Sequence, residues 1–342
     1  MTLARSSNMT RLILLLSLPM LLVAETVSYG EDPFLLGLSL DAYALGQVRA
    51  LPMSSISLGA NGARLTVEDA TLGYQHTEGF GGIYQTDVLQ ICWSQWNLNA
   101  FRGGVSGIAD TREALLDYGS DGQPNTQDAD GTENNGQLDP GERLSVHDID
   151  FFGTQQWVAE LGYNRQLSSR FAIHGTARLL YHNLHSQSGF GVGFHAGMLF
   201  QPLEHLRLGL QITDLLTTTV FWSEGSTEQY PPQVFLAADY EWLPRRVPFS
   251  LRPVIQLHLT PFHQEYSHGK AGVSYGLELG FKDQLMALLG MDAEGQPMLG
   301  ATLRTPYLDL QYATAFGTLR ETTGATHRLG ATFRLNQIPF FN

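Results

Sequence analysis

The chain reads as an all-β protein: a transmembrane antiparallel β-barrel of about 14 strands whose N-terminal segment plugs the lumen. Three observations predict this. Apolar and polar residues alternate with period two over most of the chain. The alternating runs are about 9–12 residues long, which suits a tilted crossing of a bilayer. Charged residues are only 15% of the chain, against roughly 25% in soluble domains, yet mean hydropathy stays near zero. A helical membrane protein would be far more apolar. A barrel averages out, because each strand turns one face to lipid and the other inward.

The alternation is clearest from residue 155 onward. Trp157, Ala159, Leu161 and Tyr163 oppose Val158, Glu160, Gly162 and Asn164. Phe171, Ile173, Leu179 and Tyr181 oppose His174, Thr176, Arg178 and His182. Phe190, Val192, Phe194 and Met198 oppose Gly191, Gly193, His195 and Gly197. The same pattern recurs at Val273–Phe281, Leu299–Arg304, Leu308–Tyr312 and Arg328–Leu335. A soluble sandwich also alternates. Aromatics near the strand ends (Trp157 and Tyr163, Phe190 and Phe200, Tyr307 and Tyr312) favour the membrane barrel, because they match interfacial girdles. Short turns such as Asp292–Gly295 and Gln201–Glu204 are expected on the periplasmic side. Longer links such as Leu215–Pro232 and Thr260–Lys270 are expected outside.

The N-terminus has the form of a signal peptide, residues 1–24: Arg5 and Arg11 precede the apolar run Leu12–Val23. Export to the outer membrane of a Gram-negative-type bacterium follows, with residues 25–342 forming the barrel and outer-membrane lipids as its surroundings. The less regular stretch Glu25–Ser106 is expected to hold a hatch-like segment, about residues 25–65. Thr111–Tyr118 reads as a short helix capped by Asp110 or Thr111.

Chemistry-bearing motifs are few. A net charge of −13 without any basic stripe argues against nucleic acid. The single cysteine, Cys92, allows neither an intrachain disulfide nor a CxxC metal site, and reads as a small buried or lipid-facing hydrophobe. The closest histidine groupings, His182/His185 and His263/His268, fit no tight zinc pattern. Gly189-Phe190-Gly191-Val192-Gly193 lies within a strand, where the glycines are small residues of an inner barrel face. There is no GxSxG or P-loop, and nothing ties Ser267-His268 to Asp309, so an enzyme is not expected.

Acid gathers in one loop, residues 117–143, whose core Ser120–Glu142 reads SDGQPNTQDADGTENNGQLDPGE. With Gly131 taken as position 1 of an EF-hand loop, Glu133 is position 3, Asn135 is 5, Gly136 is 6, Leu138 is 8, Asp139 is 9 and Glu142 is 12. The glycine at 6 permits the sharp turn, and the glutamate at 12 is the bidentate ligand of such a loop. The usual aspartate at position 1 is missing; Asp130 stands one residue early. Oxygen ligands of this kind suit Ca2+, with Asp128, Asp130, Glu133, Asn135, Asp139 and Glu142 as the candidate set. The alternative is a solvated acidic surface loop.

The run Ser188–Leu216, SGFGVGFHAGMLFQPLEHLRLGLQITDLL, resembles the paired-strand signature of the PorV/PorQ branch of the FadL-like outer-membrane barrels. Tyr230–Val234, Thr326–Gly330 and Phe333–Leu335 are similar to the late strands of that family. The Asn-Pro-Ala-Gly motif usual in the family is absent, and Ala70–Phe80 reads ATLGYQHTEGF instead. The resemblance implies a 14-stranded barrel with an N-terminal element in the lumen. It also implies a role in binding or shuttling secreted proteins, with secretion-system subunits of a type IX-like system as partners, or uptake of hydrophobic small molecules.

Overall fold

The computed structural model describes residues 38–53, 58–66, 68–125, 131–259, 271–316 and 325–337. The signal peptide, the start of the hatch-like segment, His263, Ser267 and His268 lie outside the described residues.

Among the described residues, eighteen strands follow one short α-helix, α1 (Leu40–Ala44). They are β1 (Glu68–Gly79), β2 (Tyr84–Ser94), β3 (Trp96–Asp110), β4 (Leu115–Leu116), β5 (Arg143–Leu144), β6 (Asp150–Ser168), β7 (Phe171–Leu184), β8 (Gln187–Leu203) and β9 (Leu206–Thr213). β10 (Thr218–Trp222), β11 (Thr227–Tyr230), β12 (Gln233–Tyr240), β13 (Phe249–Leu259), β14 (Gly272–Phe281), β15 (Leu285–Met291), β16 (Pro297–Arg304), β17 (Leu308–Ala315) and β18 (Thr326–Arg334) complete the series. All but β4 and β5 join one antiparallel sheet, closed where β1 pairs with β18 and where β8 pairs with β9. β9 and β10 are successive pieces of one barrel strand, both lying against β8, and β11 and β12 are pieces of the next. The result is a closed 14-strand antiparallel barrel.

The alternation sorts the two faces as expected. Leu89, Leu98, Leu161, Leu179, Phe194, Leu289, Leu299 and Leu329 are exposed on the outside. Gln90, Asn99, Glu160, His174, Thr176 and Arg178 are buried inside. A continuous aliphatic outer surface is stable only against lipid. Register aligns Trp157, Tyr181, Phe190 and Phe221 on neighbouring strands, one level of an aromatic girdle, and Arg102 packs over the Trp157 ring at 5.6 Å. Trp96 and Tyr163 pack at 4.7 Å at a second level on the same wall.

Four expectations need correction. Residues 68–110 are regular strands β1–β3, so the irregular stretch ends at the start of the barrel; the sequence ATLGYQHTEGF is wall. Thr111–Tyr118 is not a helix. Ala114 N donates to Thr111 O in a turn, Asp110 binds Arg112, and Leu115–Leu116 pairs with Arg143–Leu144. A run this short cannot offset helix nucleation, and the two leucines gain a strand partner instead. Leu215–Pro232 is largely wall, since it contains β10 and β11. The Asp292–Gly295 turn joins β15 to β16 at the same end as the long 111–149 connection. Gln201–Glu204 does lie at the opposite end, with the turn joining β8 to β9. Turn length alone does not report the side; the strand count does.

Candidate functional site

The lumen is occupied by the chain's own residues 38–53 and 58–66. Leu38, Leu40, Ala44, Leu45, Val48, Ala50, Leu51, Leu58 and Ala63 are all fully buried. Helix α1 starts with Ser39 Oγ accepting from Ala42 N at 3.3 Å and ends at Gly46, whose positive φ of 89° turns the chain.

The segment circles the inner wall in a direction opposite to strand order. Leu38 O accepts from Gln75 of β1 and Arg328 of β18, and the Arg328 guanidinium lies 3.5 Å from the Tyr43 ring centroid. Thr302 of β16 donates to Asp41 at 2.7 Å. Gln256 of β13 accepts from Arg49 N and Ala50 N at 2.7 and 3.0 Å and donates to Gln47 O. Asn61 donates to Ala50 O, to Met198 O of β8 and to Leu210 O of β9. Gly62 N then reaches His174 of β7, and Arg64 exchanges hydrogen bonds with Asn164 of β6. Buried backbone groups of an irregular segment need such partners.

Glycines of the wall make the approach possible. A Cβ at Gly209 would lie 1.9 Å from Ala50 O, at Gly290 2.3 Å from Gly46 N, and at Gly276 2.6 Å from Leu45 O. Gly300 and Gly197 play the same part against Ala44 and Asn61. Strand glycine commonly marks such close backbone approach. Burial pushes the Asp41 carboxyl up to about 6, with the Thr302 hydroxyl opposing the shift.

The opposite part of the wall carries full-sized side chains in layers. Register aligns Val88, Phe101, Val158 and Leu180 across β2, β3, β6 and β7, and they pack with Leu58 of the plug into a buried apolar cluster. One layer toward the long-connection end, Thr77, Thr86, Gln156, His182 and Trp222 share a level. One layer the other way stand Gln90, Asn99, Glu160 and Arg178. Asn99 donates to Glu160 at 2.8 Å, and Arg178 forms a buried ion pair with Asp214. Asp214 begins a tight turn set into the wall between β9 and β10, with Thr217 N donating to Asp214 O. At the short-turn mouth the wall is charged and internally paired: Arg207 with Asp239, Arg252 with Glu241 and Glu278, and Arg334 with Asp309.

Of the candidate calcium ligands, Asp128 and Asp130 lie outside the described residues. Glu142 accepts from Gly119 N at 2.7 Å and from Asp139 N at 2.9 Å. Asn135 donates to Asp139 at 2.6 Å and accepts from Gln137 N. Asp117 accepts from Gly136 N and Asn134 N, which hold it below the usual carboxylate range. Glu133 is half-buried beside them. Among the described residues no three carboxylates, histidines or cysteines converge as a cation cage. Cys92 faces the lumen, buried, 4.0 Å from Arg64, and Gly189, Gly191 and Gly193 face inward against Val220, Trp222 and Thr218. The plug's hydrogen-bond hubs Gln256 and Asn61 have no signal in the sequence beyond being polar residues.

Neither a protein-family model nor a curated protein matches the sequence. Among solved structures the chain is similar to the toluene transporter TodX of Pseudomonas putida, at 10% identity and a TM-score of 0.53, over 86% of this chain and 96% of that one. It is also similar to the toluene transporter TbuX of Ralstonia pickettii, at 10% identity and a TM-score of 0.52, over 89% of this chain and 100% of that one. A third is the monoaromatic hydrocarbon channel CymD, at 11% identity and 0.50, over 88% and 98%. At such identities the likeness is one of fold, a FadL-like barrel.

Proposed function

We propose that the chain is an outer-membrane channel for uptake of small hydrophobic molecules, with its short turns in the periplasm. The observation that carries this reading is the buried Val88–Phe101–Val158–Leu180 layer, set between two polar layers of the lumen wall. These side chains pack on Leu58 of the plug and, once the plug shifts, offer an apolar molecule a surface that a wholly polar pore lacks. Burial of apolar area is the main attraction available to a hydrocarbon leaving water. The fold shared with hydrocarbon channels agrees with it. The test is uptake of labelled toluene by Gram-negative cells with an intact lipopolysaccharide layer and no hydrocarbon channel of their own. Expression of the full chain raises the initial rate several-fold. An unchanged rate, with folded protein in the outer membrane, rejects the channel.

The PorV/PorQ reading, docking of secreted proteins, comes second. What favours it is the 111–149 connection, which carries its own strand pair and whose carboxylates cap its own backbone. Ca2+ belongs to this second reading. Each capping carboxylate oxygen keeps a further lone pair for a cation, and the oxygen-only donor set fits calcium. Calcium at micromolar to millimolar concentration then protects residues 120–142 from protease in the wild type and not in Glu142→Ala. Equal digestion with and without calcium removes the metal from the proposal.

A further inference from the structure

The layer above the apolar cluster has a feature that transport of a bare hydrocarbon does not explain. Thr77, Thr86 and His182 are 1%, 0% and 3% exposed. Thr77 Oγ1, Thr86 Oγ1 and His182 Nε2 have no hydrogen-bond partner among the described residues. Each stands on the inward face of its strand. Register places Thr77 beside Thr86 on one side of Gly103, and His182 beside Gly189 and Trp222 on the other. The His182 and Trp222 rings meet edge to face at 6.0 Å. Directly beneath lie Val88, Phe101, Val158 and Leu180. Unpaired donors and acceptors buried next to an apolar patch are costly unless something completes them.

We infer that this two-layer wall selects neutral aromatic or alicyclic molecules bearing one hydroxyl or carbonyl group, in preference to bare hydrocarbons and to carboxylates. The inference rests on the channel reading above and specifies its substrate. The apolar body lies against the Val88–Leu180 layer, and the polar group hydrogen-bonds to a threonine hydroxyl or to His182. A hydrocarbon of equal size leaves those groups unpaired, and sites built to hydrogen-bond a ligand reject analogues that lack the group. A carboxylate fares no better. The cation of this wall, Arg178, is already ion-paired to Asp214, and Glu160 stands in the same layer. An anion at this wall would therefore meet, among the described residues, a cation already paired and a carboxylate for a neighbour.

The test is titration of the full chain in lipid nanodiscs with toluene, benzyl alcohol and benzoate, read by calorimetry and by tryptophan fluorescence, with Trp222→Phe identifying the share of the signal from Trp222. Benzyl alcohol binds about tenfold tighter than either analogue, the worth of one or two hydrogen bonds to a buried site. Thr86→Val and His182→Phe, checked for folding by their heat-modifiable migration on gels, each shrink the alcohol-to-toluene ratio severalfold. Toluene binding as tightly as benzyl alcohol overturns the inference and leaves the channel reading standing. Benzoate binding tightest overturns it in favour of an anion site. A ratio untouched by both substitutions also overturns it, by moving the ligand elsewhere. Failure of all three probes to bind removes the channel reading as well. The comparison of probes on the wild type needs no variant to fold.

Discussion

Two parts of the lumen wall are built in opposite ways. Along β14, β15, β16 and β9 the wall is stripped to glycine where the plug passes, and the plug's carbonyls and amides lie where a Cβ would be. Along β2, β3, β6 and β7 it carries Phe101, Leu180, Glu160, Arg178 and His182. A stripped wall can seat a backbone; a furnished wall offers side-chain chemistry. The difference teaches that one barrel holds its plug in two ways, by close backbone approach over glycine on one side and by side-chain contact, as at Leu58 and His174, on the other. It does so by which inward positions keep a side chain.

Breaking the furnished wall is expected to have the largest effect. Asp214→Ala leaves Arg178 buried without its carboxylate, and stability should fall by about 3–5 kcal/mol, read as a lower urea midpoint of the refolded barrel. A midpoint within error of wild type would mean that the pair is solvated and that the layer is looser than described.

The stripped wall is challenged by Gly290→Val, whose Cβ would meet Gly46 N at 2.3 Å. Overpacking there costs about 3 kcal/mol and should unseat the plug, so trypsin cuts at Arg49 sooner. Gly175→Val is the control, since a Cβ there meets nothing within 4 Å; its cleavage rate should match wild type. Equal rates for both variants would show that the glycine track does not hold the plug.

Gln256→Leu is milder. It strips Arg49 N and Ala50 N of their acceptor, costing about 2 kcal/mol, and hydrogen exchange at those two amides should accelerate while Val158 and Leu180 stay protected. Exchange unchanged at Arg49 and Ala50 would mean that the backbone finds other partners.

The last effect is confined to a window of pH. Asp41, between Thr302 and Gln311, with Glu278 opposing and Arg304 favouring its charged form, has its carboxyl raised from 3.8 to about 6. The folded state therefore holds the proton more tightly than the unfolded chain. The stability due to Asp41 is complete below about pH 4, falls as pH rises toward 6, and is level above that. The total is about 3 kcal/mol. Asp41→Asn should flatten the curve between those values. A curve that persists in Asp41→Asn belongs to another group, with Asp292 next in line because burial raises it too.

Much of the architecture was legible because alternation is a local property. Once Leu161 and Tyr163 are apolar and Glu160 and Gly162 are not, a strand has only two faces to offer, and the low charge decides which meets lipid. The same logic placed the 189–193 glycines inward, and left Cys92 as either buried or lipid-facing. It failed at Thr111–Tyr118, where helical spacing over one or two turns competes with a strand partner at Arg143–Leu144, far along the chain. It failed again at Leu215–Pro232, because Pro231 and Pro232 look like loop while β10 and β11, just before them, pair with each other.

The sequence by itself determined the parity of the clearly alternating strands from residue 155 onward, and with it the membrane barrel and its approximate strand number. Tertiary structure alone decided the side on which each turn lies, the path of the plug and the layering of the lumen. The physical reason is range. Parity depends on neighbours two residues apart. Gln256 meets Ala50, Asn61 meets Met198 and Val88 lines up with Leu180 only when strand register and barrel closure bring distant segments to one level. No residue type at any of those positions announces its partner.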